Sequence, residues 1–569
     1  MKKRIPIGIS NFRELINGNY YFVDKSLLIK EFIENGAKII LTPRPRRFGK
    51  TLNMSMLKCF FDINMKEKRN ILNGDLEYSR NLFNGLRIEN EIDIMKLQGE
   101  FPVIIISFNS AKFNNFQDTM SRIKSLMSDI YLEHKYLLDS KELEEIEKEE
   151  FRKVINKRGD SELVATALGN LAKYLYKHFN KEVMVFIDEY DVPIQEGYIS
   201  GYYEEIISFE RVMFTYLLKD NNYVDKALIT GILRVARESI FSGLNNLEVD
   251  TMLNNKFSDK FGFTQDEVDE FLTYYKLGDK KSEVREWYNG YIFGKNVIYN
   301  PWSVLNYVEN NEDGFMPYWI NSSANDLIKR LLLKGNQKIK IELEDLIAGK
   351  SITKAIDENI VMGEVEDSNE NIWSFLLLSG YLKTIKKETI DGMRQCELQI
   401  PNKECLIFYK NIIKKWFLES MTNERYEEML RTLTTGDIEN FGYVFKRFVL
   451  NNLSYFDVSG REPEKVYHAF VLGMLVSLSD NYEVKSNKES GFGRYDVMII
   501  PKDILRHGII IEFKKIDELS KESIEEATQK ALKQIEDKKY ESELLSKGIT
   551  NIIKLAIVFK NKEVEISQG

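Results

Sequence analysis

Cysteine is scarce in this chain of 569 residues: there are three, Cys59, Cys396 and Cys405. Their spacing fits neither a zinc site nor a disulfide framework, so they read as core thiols of a reducing compartment. Histidine is nearly as rare. His134, His178, His468 and His507 are scattered, which argues against a histidine metal centre. No serine sits in a nucleophile-elbow pattern. No apolar run reaches the roughly 18 residues of a spanning helix. The basic Met1-Lys-Lys-Arg4 is followed by no apolar stretch, so no signal peptide is expected and the chain reads as cytoplasmic, with no membrane partner. Excess positive charge is also missing. The formal net charge is −8, so any nucleic-acid surface has to be local. There is no internal repeat and no low-complexity segment.

What is present is enough for large cores, with 43% hydrophobic and 12% aromatic residues. The length suggests about three or four domains. Near-continuous apolar runs at Lys38–Thr42, Val103–Phe108, Val183–Ile187 and Ala227–Thr230 have the composition of a parallel sheet covered on both faces. The long stretch between the second and third runs is helical in pattern and includes the charged Lys141–Arg158. Thr264-Gln-Asp-Glu267 fits a capping box opening a helix toward Tyr275. The aromatics Trp287, Tyr288, Tyr291, Trp302, Tyr318 and Trp319 could stack bases, but a packed core of a small lid or winged-helix-like module is favoured.

The first chemistry-bearing segment is Arg44-Pro-Arg-Arg-Phe-Gly-Lys-Thr51, directly after the run Ile39–Leu41. A strand, a loop and a helix opening at Gly49-Lys50-Thr51 form the layout of a phosphate-binding loop. Arg46, Arg47, Phe48, Gly49, Lys50 and Thr51 are the candidate nucleotide contacts. The lysine would reach the outer phosphates and the threonine hydroxyl would ligate Mg²⁺. The usual first glycine is replaced by Arg44, which leaves open a plain basic turn before a helix. No acidic residue lies between Glu34 and Asp62, so the local field is positive and attracts phosphate. The run Val183–Ile187 ends in Asp188-Glu189. That pattern places Asp188 to hold Mg²⁺ and Glu189 to polarise an attacking water. Arg234 follows the strand Ala227–Thr230 and is a candidate γ-phosphate contact, as is Arg237, with surface ion pairs as the equal alternative.

Ile5-Pro-Ile-Gly-Ile9, Tyr21-Phe-Val-Asp-Lys25, the Arg44–Thr51 loop, Phe186-Ile-Asp-Glu-Tyr-Asp191 and Thr230-Gly-Ile-Leu-Arg234 with Ser239–Asn246 together resemble the bacterial AAA-ATPase-like family. Its members commonly carry a C-terminal PD-(D/E)xK nuclease domain. The resemblance covers nearly the whole chain, and Arg44 looks like that family's own form of the loop. It implies an ATPase using ATP and Mg²⁺. Asp24 and Lys25 match a family motif, but no role follows from the sequence.

A second constellation lies near the C-terminus. Asp496 opens the strand Val497–Ile500, a turn follows, and Ile509–Lys514 returns. Glu512 and Lys514 share one face of that strand, and a hairpin would bring Asp496 beside them. Two carboxylates would bind Mg²⁺ and activate water, and the lysine would orient the nucleophile or stabilise the phosphorane charge. Glu464, on a helical segment over 464–477, would complete the metal shell. Gln534 and Tyr540 follow on a helix. The resemblance assigns Asp496, Glu512 and Lys514 as the catalytic set of a PD-(D/E)xK nuclease. The segment 502–540 carries nine cations and nine anions, so no extended DNA-binding groove can be read from it.

The expected architecture is α/β: a P-loop NTPase domain over 1–300 with helices on both faces of a parallel sheet, a mostly helical middle region over 301–444, and a small restriction-endonuclease-like α/β domain over 445–569. The expected function is ATP-dependent or ATP-regulated cleavage of nucleic acid, DNA ahead of RNA. Its main alternative is an ATP-switched binding or regulatory protein with an inactive nuclease-like domain. A third is a slow ATPase that uses its nucleotide structurally. Oligomeric state and target sequence are not legible.

Overall fold

A computed structural model describes residues 2–63, 81–232, 246–321, 326–333, 337–347, 349–360, 362–365, 368–418, 423–452, 471, 474–475, 478, 481–486, 489–490, 493–516, 520, 522–560 and 563–569. The chain divides into two compact units, one built from Met1–Leu327 and Thr353–Cys405, the other from Ile328–Ile352 and Leu406–Gly569. The stretch 301–444 is thus shared between them.

In the first unit, strands β1 (Ile39–Pro43), β2 (Val103–Ser107), β3 (Val183–Asp188), β4 (Val224–Gly231) and β5 (Leu247–Val249) form one sheet in the order β2-β3-β4-β1-β5. Every pairing is parallel. Both faces are covered, which is why β1 and β3 are buried along their whole length and read as unbroken apolar runs. Helix α1 (Lys50–Phe61) follows β1. The crossover from β2 to β3 carries α2 (Phe116–Glu133), α3 (Glu145–Ile155) and α4 (Ser161–Phe179). Their starts are set locally: Asn115 and Asp160 cap α2 and α4, and Glu144 with Glu147 forms a capping box on α3. Phe151, Leu168 and Leu171 from these helices join Ile104, Val185 and Ile187 of the sheet in one core. Each such side chain contributes about 1.5–3 kcal/mol of transfer free energy.

The capping box at Thr264 and Glu267 does start a helix, α5 (Gln265–Tyr274). Beside it Phe263–Thr264, Tyr291–Phe293 and Asn296–Tyr299 form a small antiparallel sheet. The aromatics are core, as favoured from sequence. Tyr288, Tyr299 and Tyr307 are buried together, and Tyr307 stacks on Phe315 at 4.2 Å. Trp287 and Tyr318 are partly buried against them, and Trp302 is likewise half-exposed.

In the second unit, β6 (Tyr482–Ser486), β7 (Val497–Pro501), β8 (Gly508–Ile516), β9 (Ile552–Lys560) and β10 (Glu563–Gln568) make a mixed sheet in that spatial order. Strands β7 and β8 are antiparallel, and β8 and β9 run parallel from Gly508↔Ile552 to Ile516↔Lys560. Helix α6 (Ile524–Asp537) packs on it through Ile535, against Met498 and Ile510. No helix among the described residues is long and apolar enough to cross a membrane.

The position that lacks its glycine is solved by burial. Arg44 is 0% exposed and its guanidinium donates to the Pro43 carbonyl at 2.9 Å, the Asp250 carbonyl at 2.6 Å and the Asp250 carboxylate at 2.7 Å. The left-handed backbone of the loop falls on Arg47 (φ 67°) and Gly49 (φ 84°) instead. Burial outweighs pairing on both sides of the ion pair: it lowers the Arg44 pKa and pushes Asp250 up to about 6. Arg44→Met strands the Asp250 carboxylate in the interior and should destabilise the first unit by about 3–5 kcal/mol, with part of the loss recovered in Arg44→Met/Asp250→Leu. Urea unfolding of the two variants checks this. Equal losses in both would show that the charge pairing is not what matters.

Candidate functional site

Two clusters of chemistry-bearing residues form, one in each unit. The first lies at the carboxyl ends of β1 and β3, with β4 between them, where the loops of a parallel sheet leave the strands. Asp188 closes β3 and accepts from the Thr51 hydroxyl at 2.6 Å and the Thr230 hydroxyl at 2.6 Å. The carboxylate is thereby aimed at the first turn of α1. Lys50 is buried, and its ammonium donates to the Arg44 and Pro45 carbonyls at 2.9 Å each. Burial lowers its pKa, and the carboxylates of Glu189, Asp188 and Asp191 oppose that shift. Glu189 sits in left-handed backbone at φ 52°, a conformation that costs a non-glycine residue free energy and recurs at functional sites. Burial raises its pKa against the pull of Lys50.

Lys50, Thr51 and Glu189 line a cavity of about 400 Å³ that also takes in Arg46, Arg47 and Asp191. Arg46 donates to Gln195 at 3.1 Å, and Gln195 donates to Asp191 at 2.7 Å. The Arg47 guanidinium lies 4.2 Å from the Trp302 ring centre. The remaining wall comes from Ile9 and Phe22 of the N-terminal segment and from Phe263 and Leu305. A cationic loop at a helix start, a paired threonine and aspartate, and an apolar wall make a site with the chemistry to hold a phosphorylated ligand.

The second cluster is in the mixed sheet. The β7–β8 register pairs Val497 with Ile511. Continued by one step, it sets Asp496 opposite Glu512, on the same face. Asp496 accepts from the Phe513 backbone N–H at 2.8 Å, which fixes it beside that strand. Glu512 is 2% exposed. Its Oε1 accepts from Lys514 at 3.3 Å and from the Gln534 amide. Gln534 in turn accepts from Lys514 at 2.9 Å and donates to the Tyr540 hydroxyl at 3.2 Å. Glu512 Oε2 is buried with no hydrogen-bond donor. Burial, and then the Asp496 carboxylate, push the Glu512 pKa up to about 7. A buried carboxylate oxygen without a donor, next to a second carboxylate, is the donor chemistry that a hard divalent cation takes.

Among the sequence-predicted residues, the structure thus brings together Arg46, Arg47, Phe48, Gly49, Lys50, Thr51, Asp188 and Glu189, and separately Asp496, Glu512 and Lys514. Arg234, Arg237 and Glu464 lie outside the described residues. Among the described residues no group of three or more His, Cys, Asp or Glu is gathered for a metal ion. Sequence reasoning missed Thr230 and left Gln534 and Tyr540 without a role. The Thr230-Gly231 ending of β4 was the available signal for the first. The spacing of Gln534 and Tyr540 on α6 and just beyond its end was the signal for the others.

Comparison with known proteins follows the same division. Residues 6–241 match the sequence model of the AAA-ATPase-like family, described as Predicted AAA-ATPase. Residues 462–569 match that of the PD-(D/E)XK nuclease superfamily. A relative described as an uncharacterized protein in the vnfD 5′ region of Azotobacter chroococcum mcd 1 is 24% identical over 553 residues, covering 96% of this chain and 95% of its own.

The hydrogen bond from Thr230 to the buried Asp188 gives a test independent of activity. Thr230→Val keeps the shape and removes the donor, and should destabilise the first unit by about 1–3 kcal/mol. Thr230→Ser should stay near wild type. Thermal unfolding of both reads this out, and equal midpoints for Val and Ser would show that the hydroxyl does not matter.

Proposed function

We propose that this chain, which joins an AAA-ATPase-like domain to a domain of the PD-(D/E)xK nuclease superfamily, couples ATP binding and hydrolysis to metal-dependent cleavage of nucleic acid. The observation that carries the nuclease half is the donor-free Oε2 of buried Glu512, with Asp496 across the strand pair and Lys514 on the same face. As a purely structural cluster it would leave a buried carboxylate oxygen unsatisfied, which is unfavourable by itself. The residues fit a divalent ion such as Mg²⁺, with Asp496 and Glu512 as its protein ligands and Glu464 as a further candidate. Bound there, the ion would polarise the scissile phosphate and lower the pKa of a water. Lys514, held by Gln534, places its ammonium where negative charge grows on the phosphate during attack. Gln534 keeps that lysine and Glu512 in register. DNA is favoured over RNA as the substrate.

In the first unit Lys50 would contact the outer phosphates, and Arg46, Arg47, Phe48 and Gly49 would surround them. Thr51 and Asp188 would hold Mg²⁺, and Glu189, the half-buried carboxylate beside them, would accept the proton of the attacking water. Arg234 is a further candidate phosphate contact. The protein would act in the cytoplasm of a bacterium.

Two outcomes check the ATPase half. Lys50→Ala should abolish ATP binding measured by calorimetry while the protein stays folded. Glu189→Gln should keep ATP bound and slow its hydrolysis about a hundredfold or more, as loss of a general base does; hydrolysis at the wild-type rate would transfer the role to Asp191.

The nuclease half is checked on purified protein with Mg²⁺, DNA and RNA, with and without ATP. Asp496→Ala and Lys514→Ala should each remove cleavage and leave ATP hydrolysis largely intact, because the two clusters lie in separate units. Wild-type protein that hydrolyses ATP and cuts neither polymer would replace this reading with that of an ATP-switched regulatory protein.

A further inference from the structure

The Asp24-Lys25 motif acquires a role from its contacts. Lys25 is buried, with 8% of its side chain exposed, and lies in the wall of the cavity that holds the phosphate loop. Its ammonium donates to the Asp259 carbonyl at 2.7 Å and to both carboxylate oxygens of Glu267, at 2.7 and 2.6 Å. Glu267 Oε2 also accepts from the Thr264 backbone N–H at 2.7 Å, as part of the capping box. One ammonium therefore joins the N-terminal segment to two points of the stretch Asp259–Glu267. Both partners contribute apolar surface to the cavity, Tyr21 and Phe22 on one side and Phe263 on the other.

The same stretch is pinned to the phosphate loop by contacts that do not involve Lys25. The Gly262 N–H donates to the Phe48 carbonyl at 3.0 Å, and the Asn53 amide donates to the Lys260 carbonyl at 2.9 Å. Gly262 is at φ +80°, and a Cβ there would come within 2.3 Å of Ile298 and 2.9 Å of the Phe48 ring, so this attachment is tight. Two sets of ties thus act on one wall. One belongs to the phosphate loop, and the other reaches the N-terminal segment alone. Desolvating an ammonium and a carboxylate is unfavourable unless their geometry is well satisfied. Here all three ammonium donors have acceptors, which makes the pair a rigid tie.

We propose that the Lys25–Glu267 pair is a clamp that closes the apolar part of the cavity into the seat of a nucleobase, with Lys25 a positioning residue that sets affinity for the base and leaves phosphate binding alone. This rests on the nucleotide reading of the site. The base would lie against the apolar surface of Phe22 and Phe263, which the clamp holds in place, while the triphosphate lies on Gly49–Thr51.

The clamp separates two ligands that share one phosphate chemistry. Calorimetry is performed with Mg·ATP and with magnesium tripolyphosphate on the full chain. Lys25→Met should weaken ATP about tenfold or more, or about 1.4 kcal/mol, and leave tripolyphosphate affinity unchanged. Glu267→Gln, which keeps a carbonyl oxygen for the Thr264 N–H, should give the same split. Tripolyphosphate binding serves as the internal check that each variant is folded. Equal losses for both ligands, or no loss for either, in both variants would overturn the clamp while leaving the nucleotide site standing. Wild-type protein that binds neither ligand would overturn the nucleotide reading and the clamp with it.

Discussion

The Arg44–Thr51 loop of this protein depends on one buried charge pair. Arg44 occupies the place where such loops ordinarily have glycine, and it is held by Asp250, 206 residues further along the chain. Burial opposes the charged form of both partners, so the pair is a poor source of stability and a good source of position. Its carbonyl is one of the two acceptors of Lys50, and its N–H bonds to Gly231 at the end of β4. Through one residue, the end of β1, the end of β4 and the segment after β5 are brought to the same point. The rest of the loop can then spend its left-handed backbone at Arg47 and Gly49.

The two clusters use the same residue types in different settings. In the first, Glu189 and Lys50 each feel burial, each is partly restored by the other's charge, and Asp188 and Asp191 add to the burial that raises Glu189. In the second, Asp496, directly across the strand pair, adds to the burial that already disfavours an ionised Glu512, and Lys514 answers only part of it. An added positive charge is favourable there. This difference follows from cross-strand geometry, because strand partners share a face whatever their charges.

Much of this was legible in the sequence because its signals are local. The strands β1 and β3 are apolar runs that lead into their own candidate site residues, and Glu512-x-Lys514 lies on one strand. The sequence could also place Asp496 through the length of the turn. What it could not show are pairings over long separations. Lys25 finds Glu267 across 242 residues, and Arg44 finds Asp250 across 206. No periodicity or spacing encodes such contacts, so Lys25 stayed a motif without a role and Arg44 looked like a defect in the loop. Thr230 was hidden differently: a threonine at a strand end is common, and only the parallel register of β3 and β4 turns it toward Asp188.

Strand β8 has a neighbour on each side, antiparallel β7 and a nine-residue parallel match with β9. The strand that carries Glu512 and Lys514 is therefore an interior strand, and its amides should exchange slowly with solvent. The pair Glu512 and Lys514 is thus built into the interior of its sheet. If the proposed chemistry takes place there, regulation would have little leverage on the pair itself. It would have to act on what reaches the sheet face, which would keep control and catalysis apart.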